Sequence, residues 1–216
     1  MLVYSCGNRN QQMTVKEING TISDLVGIIW DSLHFHKPQK IFLVGDFDGS
    51  GRQDTVFQHI FSRKYNMELD SIPLPSESEY LDSFIEWCYD QEVELCLTFK
   101  KDTLHLGIAF GLYCLINLGD LNADKKDEIA LSANYYDYSA TNSCSIYTIC
   151  NGKWTLLKQF SIHESAFDFT SNTIPIFKEI KGFLGKENGK WKYLDYMEYI
   201  EDNNSKMKLL ELGKCN

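Results

Sequence analysis

Two short acidic stretches carry side chains whose types and spacing could do chemistry. Gly45–Asp54 reads GDFDGSGRQD, and Gly119–Glu128 reads GDLNADKKDE. In the first, Asp46, Asp48, Ser50 and Asp54 fall at positions 1, 3, 5 and 9, with Gly51 at position 6. In the second, Asp120, Asn122, Asp124 and Glu128 fall at the same four positions. Calcium takes six to eight oxygen ligands, and alternate side chains of a tight loop can turn inward to supply them. The backbone carbonyl at position 7, Arg52 in one loop and Lys126 in the other, would be a further ligand. The expected metal set is therefore Asp46, Asp48, Ser50, Arg52 and Asp54, with Asp120, Asn122, Asp124, Lys126 and Glu128 as a second.

The elements that must hold these loops read as strands. Lys40–Val44 (KIFLV) enters the first loop and Thr55–Phe61 (TVFQHIF) leaves it. Leu112–Leu118 (LYCLINL) and Ile129–Asn134 (IALSAN) flank the second. Glu94–Phe99 and Thr103–Ile108 flank a Lys-Lys-Asp turn and predict an ordinary hairpin. Ser143–Cys150 and Lys153–Phe160 meet at Asn151-Gly152, and Phe177–Leu184 and Lys190–Tyr196 surround Asn188-Gly189, the strongest two-residue hairpin signal. Lys206–Leu212 supplies a last strand, and NGKW occurs at both Asn151–Trp154 and Asn188–Trp191.

One acidic-loop hairpin followed by one plain hairpin makes a four-stranded unit. Such units are expected over about residues 40–108 and 112–160, with a loopless third over 176–212. The fold expected is mainly β, of antiparallel propeller-blade-like sheets forming a partial or irregular propeller, with one or two short helices. The helical spacing of Ile22, Leu25, Val26, Ile29 and Leu33 suggests one, and Tyr80–Asp90 another. Ser62–Ser78, with Pro73 and Pro75, reads as an excursion from the sheet. Residues 13–216 are taken as a single β-rich domain.

Strand–GDxDGxGxxD–strand resembles the FG-GAP and VCBS-type repeats of integrin-like β-propellers. Asp46, Asp48, Gly49, Gly51 and Asp54 match that pattern, and Ser50 replaces the usual aspartate with a hydroxyl that can still ligate. The second copy departs more, with Lys125 at the turn-glycine position and Glu128 in place of aspartate. A non-glycine residue there costs on the order of 1 kcal/mol, so the first loop is expected to be the better site. Asp127 could add a compensating carboxylate. The resemblance implies up to two Ca2+ ions pinning long strand connections. An EF-hand or dockerin is excluded: position 12 is Phe57 or Leu131, and the flanks are strands.

The chain of 216 residues has a net charge of −9, which argues against a broad nucleic-acid surface and which two divalent ions would partly offset. Leu2–Gly7 (LVYSCG) resembles the end of a bacterial lipoprotein signal, with lipid on Cys6 and a polar tether to residue 12, so a bacterial envelope location is expected. Six cysteines remain, and sequence cannot choose their pairing. No GxSxG, HExxH or P-loop occurs. His34 and His36 are one strand step of two apart without an evident partner, and Glu77, Glu79, Asp82 and Glu86 read as a solvated helix face. Tyr135, Tyr136 and Tyr138 beside the second loop could meet a protein or glycan. The functional expectation is a non-enzymatic, calcium-stabilised interaction module; a polysaccharide-acting enzyme and an immunity-type inhibitor are the alternatives.

Overall fold

The computed structural model describes residues 34–36, 41–70, 72–74, 81–135, 139–167 and 178–215. The lipobox-like start and the helix expected over Ile22–Leu33 lie outside these residues. The chain divides into two compact units, residues 1–38 with 60–94, and residues 39–59 with 95–216. The divisions fall within two strands, β3 (Asp54–Ser62) and β6 (Val93–Phe99).

The smaller unit holds β1 (His34–His36), β4 (Met67–Glu68), β5 (Ile72–Leu74) and α1 (Leu81–Asp90). β1 and β5 pair antiparallel, His34 opposite Leu74 and His36 opposite Ile72. The proline-containing excursion therefore carries strands of its own, because Ile72–Leu74 has a partner far away in sequence. α1 sits where the Tyr80–Asp90 pattern places it and buries Trp87 and Cys88. Ser62 Oγ donates to the Gln91 carbonyl at 2.7 Å, which fixes the turn that follows α1.

The larger unit carries both acidic loops. β2 (Phe42–Gly45) pairs with β3, and β6 pairs with β7 (Asp102–Gly107), in a sheet of order β2-β3-β6-β7 with β4 added to β3. A second sheet is a plain meander in the order β11-β10-β9-β8, from β8 (Ala109–Gly119), β9 (Glu128–Tyr135), β10 (Thr141–Cys150) and β11 (Lys153–His163). In each sheet an acidic loop joins the first two strands and a tight turn joins the last two. The fold is mainly β and antiparallel, with blade-like sheets and two short helices among the described residues.

Both faces of the second sheet are covered, which explains its near-continuous apolar runs. Cys114, Ile116 and Leu118 alternate into one cluster with Ala130, Cys144, Ile146, Phe160 and Ile162. Leu115, Ile129 and Leu131, of opposite parity, are equally buried. The first cluster is completed by Ile180, Leu184, Trp191 and Leu210 from the C-terminal region. There β12 (Leu184–Glu187), β13 (Lys190–Tyr193) and β14 (Lys208–Leu209) form a three-stranded sheet. Trp191 Nε1 donates to the Leu118 carbonyl at 2.8 Å, tying this sheet to β8.

These last strands are shorter than expected, and β12 lies beyond the expected Phe177–Leu184, sharing only Leu184 with it. Phe183 N donates to the Ile180 carbonyl in a turn, so β12 starts only at Leu184. β13 stops at Tyr193 because the Asp195 carboxylate caps α2 (Tyr196–Glu201) through Met197 N. Both Asn-Gly pairs adopt left-handed backbone, Asn151 at φ 50° and Gly152 at 76°, Asn188 at 52° and Gly189 at 75°. A type I′ turn requires this.

Cys150 and Cys215 form a disulfide that closes 65 residues of chain. Cys88, Cys96, Cys114 and Cys144 are buried thiols. Burial pushes Cys88 and Cys114 up to about 12, so neither is a thiolate at neutral pH.

Candidate metal centre

The two acidic loops share one backbone skeleton. In the first, Asp46 Oδ2 accepts from Gly51 N at 2.8 Å and Asp48 Oδ1 from Ser50 N at 2.9 Å. In the second, Asp120 Oδ2 accepts from Lys125 N and Asn122 Oδ1 from Asp124 N, both at 3.0 Å. Position 1 thus caps position 6, and position 3 caps position 5, in both loops. Positions 4 and 6 are left-handed in each: Gly49 and Gly51 at φ 75°, Ala123 at 57° and Lys125 at 73°.

Lys125 therefore does occupy the strained turn position, where its Cβ crowds its own backbone. Lys125→Gly should raise the unfolding free energy by about 1 kcal/mol, read as a shift of the urea midpoint at unchanged slope. Gly51→Ala, the reverse change at the matching position, should lower it by a similar amount.

In the first loop, Asp46, Asp48 and Asp54 each present a carboxylate oxygen within 4.8 Å of the other two, a group that could hold a metal ion. Ser50 and Arg52 are exposed at the rim. Lys100, on the turn between β6 and β7, reaches into this group. Its ammonium contacts Asp48 Oδ2 and lies 3.1 Å from Asp54 Oδ1. That ammonium first, then the Ser50 hydroxyl, holds the Asp48 carboxyl well below the ordinary carboxylate range. The two carboxylates in turn raise Lys100.

The second loop is more deeply set. Glu128 is fully buried, and Asn122 is 8% exposed. Glu128 Oε2 accepts from Leu121 N at 2.7 Å. Burial pushes Glu128 up to about 7, against the lowering by Leu121 N–H, and Asp124, Asp120 and Asp127 add repulsion. Asp120, Asp124 and Glu128 do not close to the spacing of the first triad. Lys126 contributes its backbone N–H to Asp124 Oδ1 at 3.0 Å, while its ammonium points to Cys215 Sγ at 3.6 Å.

Both loops leave buried oxygens without a hydrogen-bond donor. These are Asp46 Oδ1 and Asp54 Oδ2 in the first, Asp124 Oδ2 and Glu128 Oε1 in the second. A buried carboxylate oxygen with no donor is costly. A hard divalent cation, which binds oxygen, is the chemical species that would satisfy such a set.

The loops also lock together, which their separation in sequence conceals. Asp127 N donates to the Asp46 carbonyl at 2.9 Å, and Asp46 N donates to Asp127 Oδ2 at 3.0 Å. Asn117 Nδ2 donates to the same Asp127 oxygen at 2.8 Å and to the Val44 carbonyl at 3.1 Å. Asp127 is thus not an added ligand of its own loop. Its neighbour Glu128 turns inward, and Asp127 faces the first loop instead. The residues that sequence reasoning missed are Lys100, Asn117 and Gly45. Only Gly45 carried a signal, since Gly119 repeats it before the second loop.

The other polar candidates have local partners. His59 Nε2 lies 2.6 Å from Thr98 Oγ1, Cys96 Sγ 3.6 Å from His105 Nδ1, and His163 Nδ1 2.8 Å from Ser165 Oγ. Glu77, Glu79, Tyr136 and Tyr138 lie outside the described residues, and Glu86 is exposed on α1. Among the described residues no helix is long and apolar enough to cross a membrane.

Fold and site together define a mainly β, antiparallel protein with two acidic loops, the first of which carries a carboxylate group that could hold a metal ion. No family model, curated protein or solved structure matches the chain.

Proposed function

We propose that this chain is a non-enzymatic, calcium-stabilised β-repeat module that serves in interaction with protein or glycan. The observation that carries the reading is the repeated loop skeleton with two undonated buried acidic oxygens in each copy. Calcium is favoured over a softer ion because every side chain at the ligand positions offers oxygen. The ion's role is to neutralise clustered carboxylates and fix the connection between the first two strands of each sheet. The resemblance to FG-GAP and VCBS-type repeats supports the same assignment. The Leu2–Gly7 stretch supports an envelope lipoprotein held through Cys6, and the net charge of −9 speaks against a nucleic-acid partner.

Thermal melts in chelator and in calcium test this. Extracellular calcium modules bind with dissociation constants of about 10⁻⁴–10⁻³ M. At ~10 mM calcium, mass action then adds about 1.4–2.7 kcal/mol per site. For a chain of this size that is a rise in melting temperature of about 3–10 °C per site. The double variant Asp46→Ala, Glu128→Gln should show no rise. A wild-type melting temperature indifferent to calcium would sink the reading.

A further inference from the structure

We propose that the second acidic loop takes up a divalent cation first, and that Lys100 withholds the first loop until its ammonium is expelled. The inference rests on the reading of both loops as cation sites, and it reverses the ranking that ligand identity alone suggests.

The oxygen inventory of the first loop gives the reason. Asp46, Asp48 and Asp54 carry six carboxylate oxygens between them. Asp46 Oδ2 is taken by Gly51 N and Asp48 Oδ1 by Ser50 N. Lys100 takes Asp48 Oδ2 and Asp54 Oδ1. Only Asp46 Oδ1 and Asp54 Oδ2 lack a donor. Even with the Ser50 hydroxyl and the Arg52 carbonyl these fall short of the six to eight ligands calcium takes. The second loop has the same number of undonated oxygens, Asp124 Oδ2 and Glu128 Oε1, so what separates the two loops is the ammonium. Withdrawal of the ammonium frees two more and makes Asp48 available as a ligand. Lys100 can withdraw: its side chain is 51% exposed and stands on a tight turn at φ 52°.

The second loop has no such resident cation. Among the described residues no basic side chain pairs with Asp120, Asp124 or Glu128. Two ammonium groups of this region are engaged elsewhere, Lys126 at Cys215 Sγ and Lys214 at the Ala123 carbonyl, 3.1 Å away. Glu128 is fully buried with Oε1 lacking any donor. An ion entering here relieves a buried carboxylate and has no side-chain ammonium to displace.

Filling the second loop also prepares the first. Glu128 and Asp127 are adjacent, and Asp127 holds Asp46 from both its N–H and its carbonyl. An ion that fixes Glu128 fixes the position-1 ligand of the other loop through two hydrogen bonds. The second ion then meets a preorganised Asp46 and has only Lys100 to displace.

Calorimetric titration of calcium into the full chain reads both steps. Glu128→Gln, or the gentler Asp124→Asn should the former fold poorly, is expected to remove the tighter step. Asp46→Asn should remove only the weaker step. Lys100→Met should tighten the weaker step tenfold or more and leave the tighter one unchanged; if the wild type shows a single step, Lys100→Met should add a second. Loss of the tighter step in Asp46→Asn, or a Lys100→Met isotherm identical to wild type, overturns the inference while leaving calcium binding intact. No uptake by wild type and Lys100→Met alike removes the cation reading itself, and the inference with it.

Discussion

Replacing both Cys150 and Cys215 with serine should lower the unfolding free energy by about 4 kcal/mol. The bridge closes 65 residues of chain, and the loop-entropy relation gives about 3 kcal/mol for a 15-residue loop and 4.7 for 100. In a chain of this length the melting temperature should fall by roughly 8–16 °C. The local geometry adds to the chain-entropy effect. The segment that Cys215 anchors lies on the second acidic loop, where Asn122 Nδ2 donates to the Gly213 carbonyl at 2.9 Å and Lys214 Nζ to the Ala123 carbonyl at 3.1 Å. Without the bridge these contacts must hold a free chain end. Denaturant unfolding of the double variant, beside wild type with and without reductant, measures the loss. A midpoint that moves in neither comparison would mean that the bridge does not constrain the chain.

Gly45→Ala should cost about 3 kcal/mol, far more than alanine at Gly51. A Cβ on Gly45 would stand 2.4 Å from Asn117 Nδ2, and 2.7 Å from both Asp127 Oδ2 and Phe47 Cε1. The first two atoms belong to the hydrogen-bonded clasp between the loops, and Phe47 is fully buried against Phe99 at a ring separation of 6.3 Å. None of the three can yield without breaking a bond or repacking a core ring. At Gly51 a Cβ meets nothing within 4 Å, and only the left-handed backbone, φ 75°, resists it. Urea midpoints of the two variants therefore separate crowding from backbone strain. Equal costs would show that the loops do not interlock as described.

Much of the fold was legible because its signals are local. Asn151-Gly152 and Asn188-Gly189 specify their turns by backbone conformation alone. The runs around each loop specify strands by their apolar content. Tyr80–Asp90 specifies α1 by the spacing of its large side chains. Strand ends were less legible. β12 begins only at the last residue of its expected range, after the turn at Ile180–Phe183, and β13 is trimmed by the cap at Asp195, each of which competes for the same backbone groups. The pairing of Ile72–Leu74 with His34–His36 depends on a partner more than thirty-five residues earlier, and no local pattern announces it.

The acidic loops divide in the same way. Their ligand positions, their capping hydrogen bonds and the left-handed turn at Gly51 and Lys125 follow from residue type and spacing within ten residues. Sequence by itself determined that much: a mainly β chain with two copies of an oxygen-rich turn between strands. What only the tertiary structure decided is the environment of each copy. It brought Lys100 from a different hairpin into the first triad and sank Glu128 beneath the second loop. It also turned Asp127 outward to clasp Asp46, and left Gly45 as the one residue small enough for that clasp. The physical reason is that a ligand set is written in neighbouring residues, whereas charge compensation, burial and close approach are set by groups that share no stretch of sequence.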